Sequence, residues 1–399
     1  MGGAPSFTGA GTVWLDVRER DTAALLHFGG SGGRGVVAAY LGAVLDGGCE
    51  AERRVGVWRA ARSPLPGIWD GLLGERARAA LAGRHPFDAE LHPTRLERYV
   101  ACPFAYYLQD VLGLDLPEEP DEGLEMEARE LGILAHDILQ RTFAALAGAW
   151  DAGGEPPDLV TAGEALEAAW KTGCAEAERR GVTGAPLAWE VRRAMLLDDL
   201  LESLRRDPVF RPAGGRPVAF EWPFGESVAR PVTLTLHDGR RIRFAGRLDR
   251  LDATAGGARV IDYKTGGGAT ERERLRKGLA VQLPVYGLAV RQAADGEYGQ
   301  IACLYRLVTR RGGFADIVLA DDEAAATEGL RRLVSEAIGL VDRGLFPRCS
   351  RSGCDFCDMS YACGVSAWTR GRKREHQSLG DLVRLQRDGP RAGEGDADA

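Results

Sequence analysis

The chain has 399 residues, 45% of them apolar and 27% charged, as in an ordinary soluble globular protein of about two or three domains or one large elaborated α/β domain. No apolar run reaches membrane-spanning length, and the opening MGGAPSFTGAGTVW lacks the basic-then-apolar order of a signal peptide, so a cytoplasmic location is the default expectation. A formal charge of −7 excludes an overall basic coat but leaves room for a local cationic channel.

Residues 1 to about 90 alternate short apolar segments with glycine-rich turns. Within them FGGSGGRGVV lacks the Gly-Lys-Ser/Thr ending that grips a nucleotide phosphate, so it reads as a turn, and no ATPase signature is present. A helix is predicted from Thr94, as N-cap, through RLERYVACPFAYYLQDVL, with Leu96, Tyr99, Val100 and Phe104 at helical spacing. Pro103 should kink or restart it. After the acidic linker DLPEEPDEGLEME comes a second helix, ARELGILAHDILQRTFAAL, which carries His136 among apolar positions. Helical, glycine-interrupted sequence then runs to about Asp207.

From about 215 the hydrophobic period becomes two. GRPVAFEWPFG, VTLTLH, RIRFAGRLDRL and ARVIDYKTG read as successive strands, joined by turns such as His237-Asp238-Gly239 and Ala255-Gly256-Gly257. A helix containing VQLPVYGLAV follows, then strands QIACLYRLV and FADIVLA and a long helix from about Asp322 to Arg343. The last residues, GPRAGEGDADA, have a disordered composition. Basic residues gather around Arg240, Arg241, Arg243, Arg247 and Arg250, around Arg272, Arg274, Arg276 and Lys277, and around Arg370, Arg372, Lys373 and Arg374. Each group alone reads more readily as a solvated face than as a phosphate track.

Two strand ends carry the candidate chemistry. AGRLDRLD presents Asp249, and VIDYKTG presents Asp262 and Lys264 on one face while Tyr263 points away. The turn between them brings Asp249 alongside Asp262. Two carboxylates so close repel each other, and a divalent cation with hard oxygen ligands, Mg²⁺ or Mn²⁺, is the natural compensation. Such an ion lowers the pKa of a bound water, and Lys264 can orient that water or stabilise the transition state: chemistry suited to phosphodiester hydrolysis. The plainer reading pairs Asp249 with Arg247 or Arg250 and leaves Lys264 solvated.

Eight cysteines in this setting do not suggest disulfides. Cys49, Cys174 and Cys303 are scattered, and Cys303 belongs to a core-like strand, whereas Cys349, Cys354, Cys357 and Cys363 crowd one loop. Three soft ligands there need a fourth. Cys349 would close a local zinc site, and Cys102 would close a [4Fe–4S] cluster.

The ordered set CPFAYYL, GILAHDIL, GRLDRLD, IDYKTG, QLPVY and C-x-x-C-x5-C, spanning about 94 to 366, resembles the RecB-like branch of the PD-(D/E)XK nuclease superfamily. It is most similar to the C-terminal nuclease domain of AddB-type helicase–exonuclease subunits. The resemblance implies a restriction-endonuclease-like α/β core, a mixed sheet of about five strands flanked by helices, with a helical insertion and a C-terminal iron–sulfur loop. It implies that His136, Asp249, Asp262 and the Tyr263 carbonyl hold the metal, and that Asp249, Asp262, Lys264, Gln282 and Tyr286 serve catalysis. Gln282 and Tyr286, four apart, share a helix face. It also favours Cys102 with Cys354, Cys357 and Cys363 as cluster ligands. As alternatives, His136 is a satisfied core histidine and Tyr286 packs beside Leu283.

The expected organisation is an N-terminal region over 1–90, read as the remnant of a helicase-like domain, a nuclease domain over 91–366 and a basic, then disordered tail over 367–399. The expected activity is Mg²⁺-dependent cleavage of DNA, as an exonuclease, in double-strand break repair or recombination with a helicase partner. One alternative is a DNA-binding scaffold subunit. Another, a stand-alone nuclease resembling those of CRISPR adaptation, fits the N-terminal region less well.

Overall fold

A computed structural model describes residues 63, 65–83, 85–114, 124–151, 155–294, 297–319, 322–348, 354, 357, 363 and 373–391. The segment FGGSGGRGVV, most of the acidic linker, Cys49, Cys349, Arg370, Arg372 and the end of the C-terminal tail lie outside them.

Helix α1 (Glu75–Ala82) precedes α2 (Pro93–Ala101). Thr94 does not cap α2: Pro93 takes the first helical position, where its missing N–H costs nothing, and His92 precedes it without a side-chain cap. Pro103 does restart the helix, as α3 (Pro103–Tyr106), leaving Cys102 extended at the break. Three long helices follow, α4 (Ala128–Asp151), α5 (Leu159–Arg180) and α6 (Pro186–Arg206). Asp158 starts α5 by accepting from Thr161 N–H at 2.7 Å.

The strands are β1 (Arg216–Phe224), β2 (Val232–Thr235), β3 (Arg241–Phe244), β4 (Gly246–Thr254) and β5 (Gly257–Lys264). After α7 (Ala269–Arg276) and α8 (Gln282–Ala293) come β6 (Gln300–Leu307) and β7 (Asp316–Val318). Then α9 (Glu323–Asp342) is capped by Asp322, and α10 (Gly380–Asp388) follows.

Five strands form a mixed sheet in the order β1-β4-β5-β6-β7, with only β5 and β6 parallel. The expected continuous strand RIRFAGRLDRL is two: β3 pairs with β2 in a separate hairpin, and β4 joins the main sheet. The cause is Leu91, which donates to Arg243 O at 2.8 Å and accepts from Ala245 N at 3.3 Å, taking bonds the strand would need to run on. Gly257 opens β5 at φ 151°, where a Cβ would stand 1.9 Å from Gln300 O, so the β4–β5 turn needs glycine.

Helices cover both faces. Ile261 and Tyr263 of β5 enter one core with Leu134, Ile138 and Phe143 of α4, while Val260 enters the other with Leu283 and Val285 of α8. This helix–sheet–helix arrangement is a restriction-endonuclease-like core, as expected. The stretch around Ile68–Leu73 packs onto the same body: Leu73 N donates to Gly344 O at 2.8 Å, and Phe346 N donates to Gly71 O at 2.9 Å. Lys373 holds Asp70 from the far end of the chain, at 2.7 and 2.8 Å.

Beneath the sheet's end lies a buried charge network. Arg250 donates to Asp252 (2.6 and 2.8 Å), to Asp207 (2.7 and 3.0 Å) and to Tyr263 Oη (2.8 Å). Arg306 joins Asp207 at 2.7 Å and Asp316 at 2.9 Å. No described helix is long and apolar enough to cross a membrane.

Candidate active site

The β4–β5 register places Arg250 opposite Ile261, so the residues just beyond, Asp249 and Asp262, sit together at the sheet's end. Asp249 Oδ2 accepts the backbone N–H of Tyr263 at 2.7 Å. His136, reaching from α4, sets Nδ1 3.3 Å from the same Asp249 oxygen and Nε2 3.0 Å from the Tyr263 carbonyl. Both ring nitrogens thus face oxygen atoms, an arrangement an imidazolium satisfies by donating twice.

Alternation along β5 puts Asp262 and Lys264 on the face toward α8 and sends Tyr263 to Arg250 on the other. Asp262 is 2% exposed. Its Oδ2 lies 2.6 Å from Lys264 Nζ, a close and largely buried ion pair. The Lys264 ammonium also donates to Gln282 Oε1 at 3.1 Å and stands 5.0 Å from the centre of the Tyr305 ring. Gln282 Nε2 reaches Tyr286 Oη at 3.4 Å. Gln282 and Tyr286 therefore share the face that meets the lysine, and Tyr286 is also packed in the core beside Leu283.

Burial pushes the Asp262 carboxyl up, Lys264 opposes this and Asp249 adds to it, for a value of about 6. Burial would lower the His136 imidazole, but Asp249 and then Asp262 outweigh it and raise the group to about 9. Lys264 is also raised: desolvation works against its charge, and the Asp262 carboxylate more than compensates.

The plain ion-pair reading of Asp249 fails. Arg250 is buried on Asp207 and Asp252, and Arg247 reaches Glu221 at 3.4 Å. Glu221 is the residue that the sequence reading missed. It sits in β1 between the pairs Phe220–Arg250 and Trp222–Leu248, which sets it across from Asp249, with φ at 43°. Burial and Asp249 raise its carboxyl above the ordinary range. Ligand atoms of His136, Glu221 and Asp249 lie within 4.8 Å of one another, a spacing that a divalent ion can bridge. The available signal was one carboxylate inside an otherwise apolar strand, AFEWPF.

His136, Glu221, Tyr263 and Lys264 line a cleft of about 610 Å³, together with Arg129, Ile133 and Thr265 among others. The donor set of His136, Glu221 and Asp249, one imidazole and two hard carboxylates, fits a divalent metal.

The second constellation is sulfur-rich. Cys102 at the α2–α3 break packs with Cys357 and Cys363 against Phe104 and Leu108. Burial pushes the Cys102 thiol up to about 11, with Cys363 and Cys357 adding to the shift. Arg348 donates to Cys363 O at 2.9 Å and covers the Phe104 ring. Cys354 is partly buried, and Cys174 and Cys303 are buried core thiols.

Comparison with known proteins agrees with this geometry. The family model described as the PD-(D/E)XK nuclease superfamily matches residues 90–364. The chain is 28% identical over 264 residues to the B subunit of the ATP-dependent helicase/deoxyribonuclease from Acetivibrio thermocellus, covering 63% of this chain and 21% of that protein. The proteins of the same name from Thermoanaerobacter pseudethanolicus and Pelotomaculum thermopropionicum are 29% identical over 214 residues and 30% over 238. Those matches cover 51% and 55% of this chain and 18% of each relative. The chain thus spans about a fifth of the length of the curated relatives it matches. With the family match running through the strands, the cleft helix and the cysteine loop, over more than half of its length, the chain belongs to the PD-(D/E)XK nuclease superfamily.

Proposed function

We propose that this chain is a metal-dependent deoxyribonuclease, acting as an exonuclease in double-strand break repair or recombination alongside a helicase partner, in the cytoplasm. The observation that carries the reading is the contact of His136 with Asp249 and the Tyr263 carbonyl, next to the Asp262–Lys264 pair, where His136, Tyr263 and Lys264 line a cleft. The names of the relatives, subunits of helicase–deoxyribonucleases, support DNA as substrate and a motor as partner. The proposed nuclease unit runs over 91–366, but the described parts of 1–90 and 367–399 are not separate from it. Leu81 and, from α10 and the residue before it, Leu379, Leu382 and Leu385 enter the same core, so the expected tail is in part an ordered helix.

In this reading His136, Asp249, Asp262 and the Tyr263 carbonyl hold Mg²⁺ or Mn²⁺, with Glu221 placed to join them. Such an ion supplies a water of lowered pKa and neutralises charge on the attacked phosphate. Lys264, held by Gln282, presents its ammonium to the water or to the developing charge on phosphorus. Tyr286 fixes Gln282 from the next helical turn. Water attacks directly, so no residue forms a covalent intermediate.

We assign Cys102, Cys354, Cys357 and Cys363 as ligands of a [4Fe–4S] cluster that staples α2 and α3 to the C-terminal loop. The packing of Cys102 with Cys357 and Cys363 supports this over a local zinc site closed by Cys349.

The test is cleavage of linear single- and double-stranded DNA by the purified full chain, with Mg²⁺ and with a chelator. Cleavage that requires Mg²⁺ and disappears in Asp262→Ala is the expected result. DNA binding without cleavage by the wild-type chain would favour a scaffold role instead, and unchanged cleavage in Asp262→Ala would remove the site assignment.

A further inference from the structure

Many of the arginines that crowd the sequence near the candidate site are engaged by carboxylates. Arg243 pairs with Glu226 at 3.0 Å, Arg247 with Glu221 at 3.4 Å, Arg274 with Glu97 at 2.9 Å and Arg276 with Glu273 at 2.8 Å. Arg250 is buried altogether. Arg311 differs: it is exposed, and among the described residues its guanidinium has no ion-pair or hydrogen-bond partner.

The loop that carries Arg311 is fixed to the strand that carries Lys264. The β5–β6 register ends with Lys264 beside Leu307, after which Val308 N donates to Lys264 O at 3.0 Å. Thr309 Oγ1 then donates to Thr265 O at 3.1 Å and accepts from Gly312 N at 3.4 Å. A Cβ on Gly312 would stand 2.9 Å from Gly266 O and 2.5 Å from Leu307 Cβ, so the two loops touch only because that residue is glycine. Phe314 closes the turn at φ 55°, its ring covered by Arg206 at 4.8 Å. Strain of this kind persists where the surroundings hold the backbone in place.

Arg311 runs along Gly267: a Cβ there would lie 3.8 Å from Arg311 Cγ and 3.9 Å from its Nε. Thr265 and Gly266, immediately before, line the cleft with His136 and Lys264. The Arg311 side chain thus lies beside Gly267, next to the cleft-lining Thr265 and Gly266, with its guanidinium free and open space at Gly266 for a backbone to approach.

We propose that Arg311 binds a backbone phosphate of the nucleic-acid strand in the cleft, neighbouring the phosphate presented to Lys264. A planar guanidinium matches a phosphate with two parallel hydrogen bonds, and no existing ion pair has to break first. The assignment rests on the nuclease reading of this site.

Binding of the full chain to a fluorescently labelled single-stranded oligonucleotide, in chelator and over a salt series, tests it. Arg311→Ala should weaken binding several-fold and reduce the steepness of the log affinity–log salt line by about one. Arg311→Lys should keep the slope and recover part of the affinity. Arg276→Ala, on a carboxylate-paired arginine, should change neither. With Mg²⁺, Arg311→Ala should raise KM and leave kcat near wild type. Unchanged affinity and slope in Arg311→Ala, or an equal loss in Arg276→Ala, overturns the assignment. A wild-type chain that binds no DNA overturns it together with the nuclease reading; one that binds and cuts DNA indistinguishably from Arg311→Ala overturns it alone.

Discussion

Lys264 gives a hydrogen bond to Gln282, and Gln282 begins a helix whose first N–H groups are held by Glu97. The Glu97 carboxylate accepts from Val281 N at 3.0 Å and Gln282 N at 3.4 Å, and pairs with Arg274 at 2.9 Å. A buried acid on α2 thus caps α8 and sets the height of the residue that restrains the lysine. We expect Glu97→Ala to destabilise the fold by about 1–3 kcal/mol, as for other buried charge-assisted hydrogen bonds. It should also lower kcat more than it raises KM, with Glu97→Gln recovering part of the rate. Thermal unfolding and steady-state cleavage measure the two effects; a loss of stability with kcat unchanged would reduce Glu97 to a structural cap.

Removing the ammonium itself should cost more. Lys264→Ala should lower kcat by about a hundredfold to a thousandfold, the scale of losing one aimed donor at developing charge. Its effect on KM should be small, because an interaction made only in the transition state does not hold the ground state. Single-turnover cleavage separates the two quantities, and a variant that fails only in DNA binding would assign Lys264 to the substrate's backbone instead.

The difference between what could and could not be read in advance follows from how far apart the contacts lie. Period-two patterning and the Ala255–Gly257 turn are local, and they suffice to put Asp262 and Lys264 on one face beside Asp249. Glu221 depends on the pairing of β1 with β4 and on its φ of 43°, neither of which is local. The break between β3 and β4 is imposed by Leu91, far upstream. Arg250 looked like part of a basic surface because its partner Asp207 lies 43 residues away, at the end of a helix.

That buried network makes its own prediction. Burial alone would raise the Asp207 carboxyl, but Arg250 and Arg306 outweigh it and hold the group well below the usual carboxylate range. A depressed folded-state pKa stabilises the fold above the unfolded-state value and ceases to do so as pH falls through the folded one. Asp207→Asn leaves two buried cations short of a carboxylate and should cost about 3–5 kcal/mol near neutrality. Between about pH 5 and pH 3 the wild type should lose more of its stability than the variant, narrowing the gap. Urea midpoints across that range decide the matter, and a gap that widens on acidification would contradict the sign.

The cysteines offer the sharpest choice between two metals. Pro103 breaks the helix at Cys102 and leaves that residue on the same Phe104–Leu108 cluster that Cys357 and Cys363 pack against, so its position is set by the helix break. Burial disfavours the Cys102 thiolate, and under the proposed assignment a metal centre would compensate it together with the other cysteines. Anaerobically purified protein should therefore be brown, with broad blue-violet absorbance and bound iron. Cys102→Ala should remove the colour, release the iron and lower the unfolding temperature, while Cys349→Ala should do none of these. A colourless protein that binds zinc, loses it in Cys349→Ala and keeps it in Cys102→Ala would instead place the whole site within the C-terminal loop.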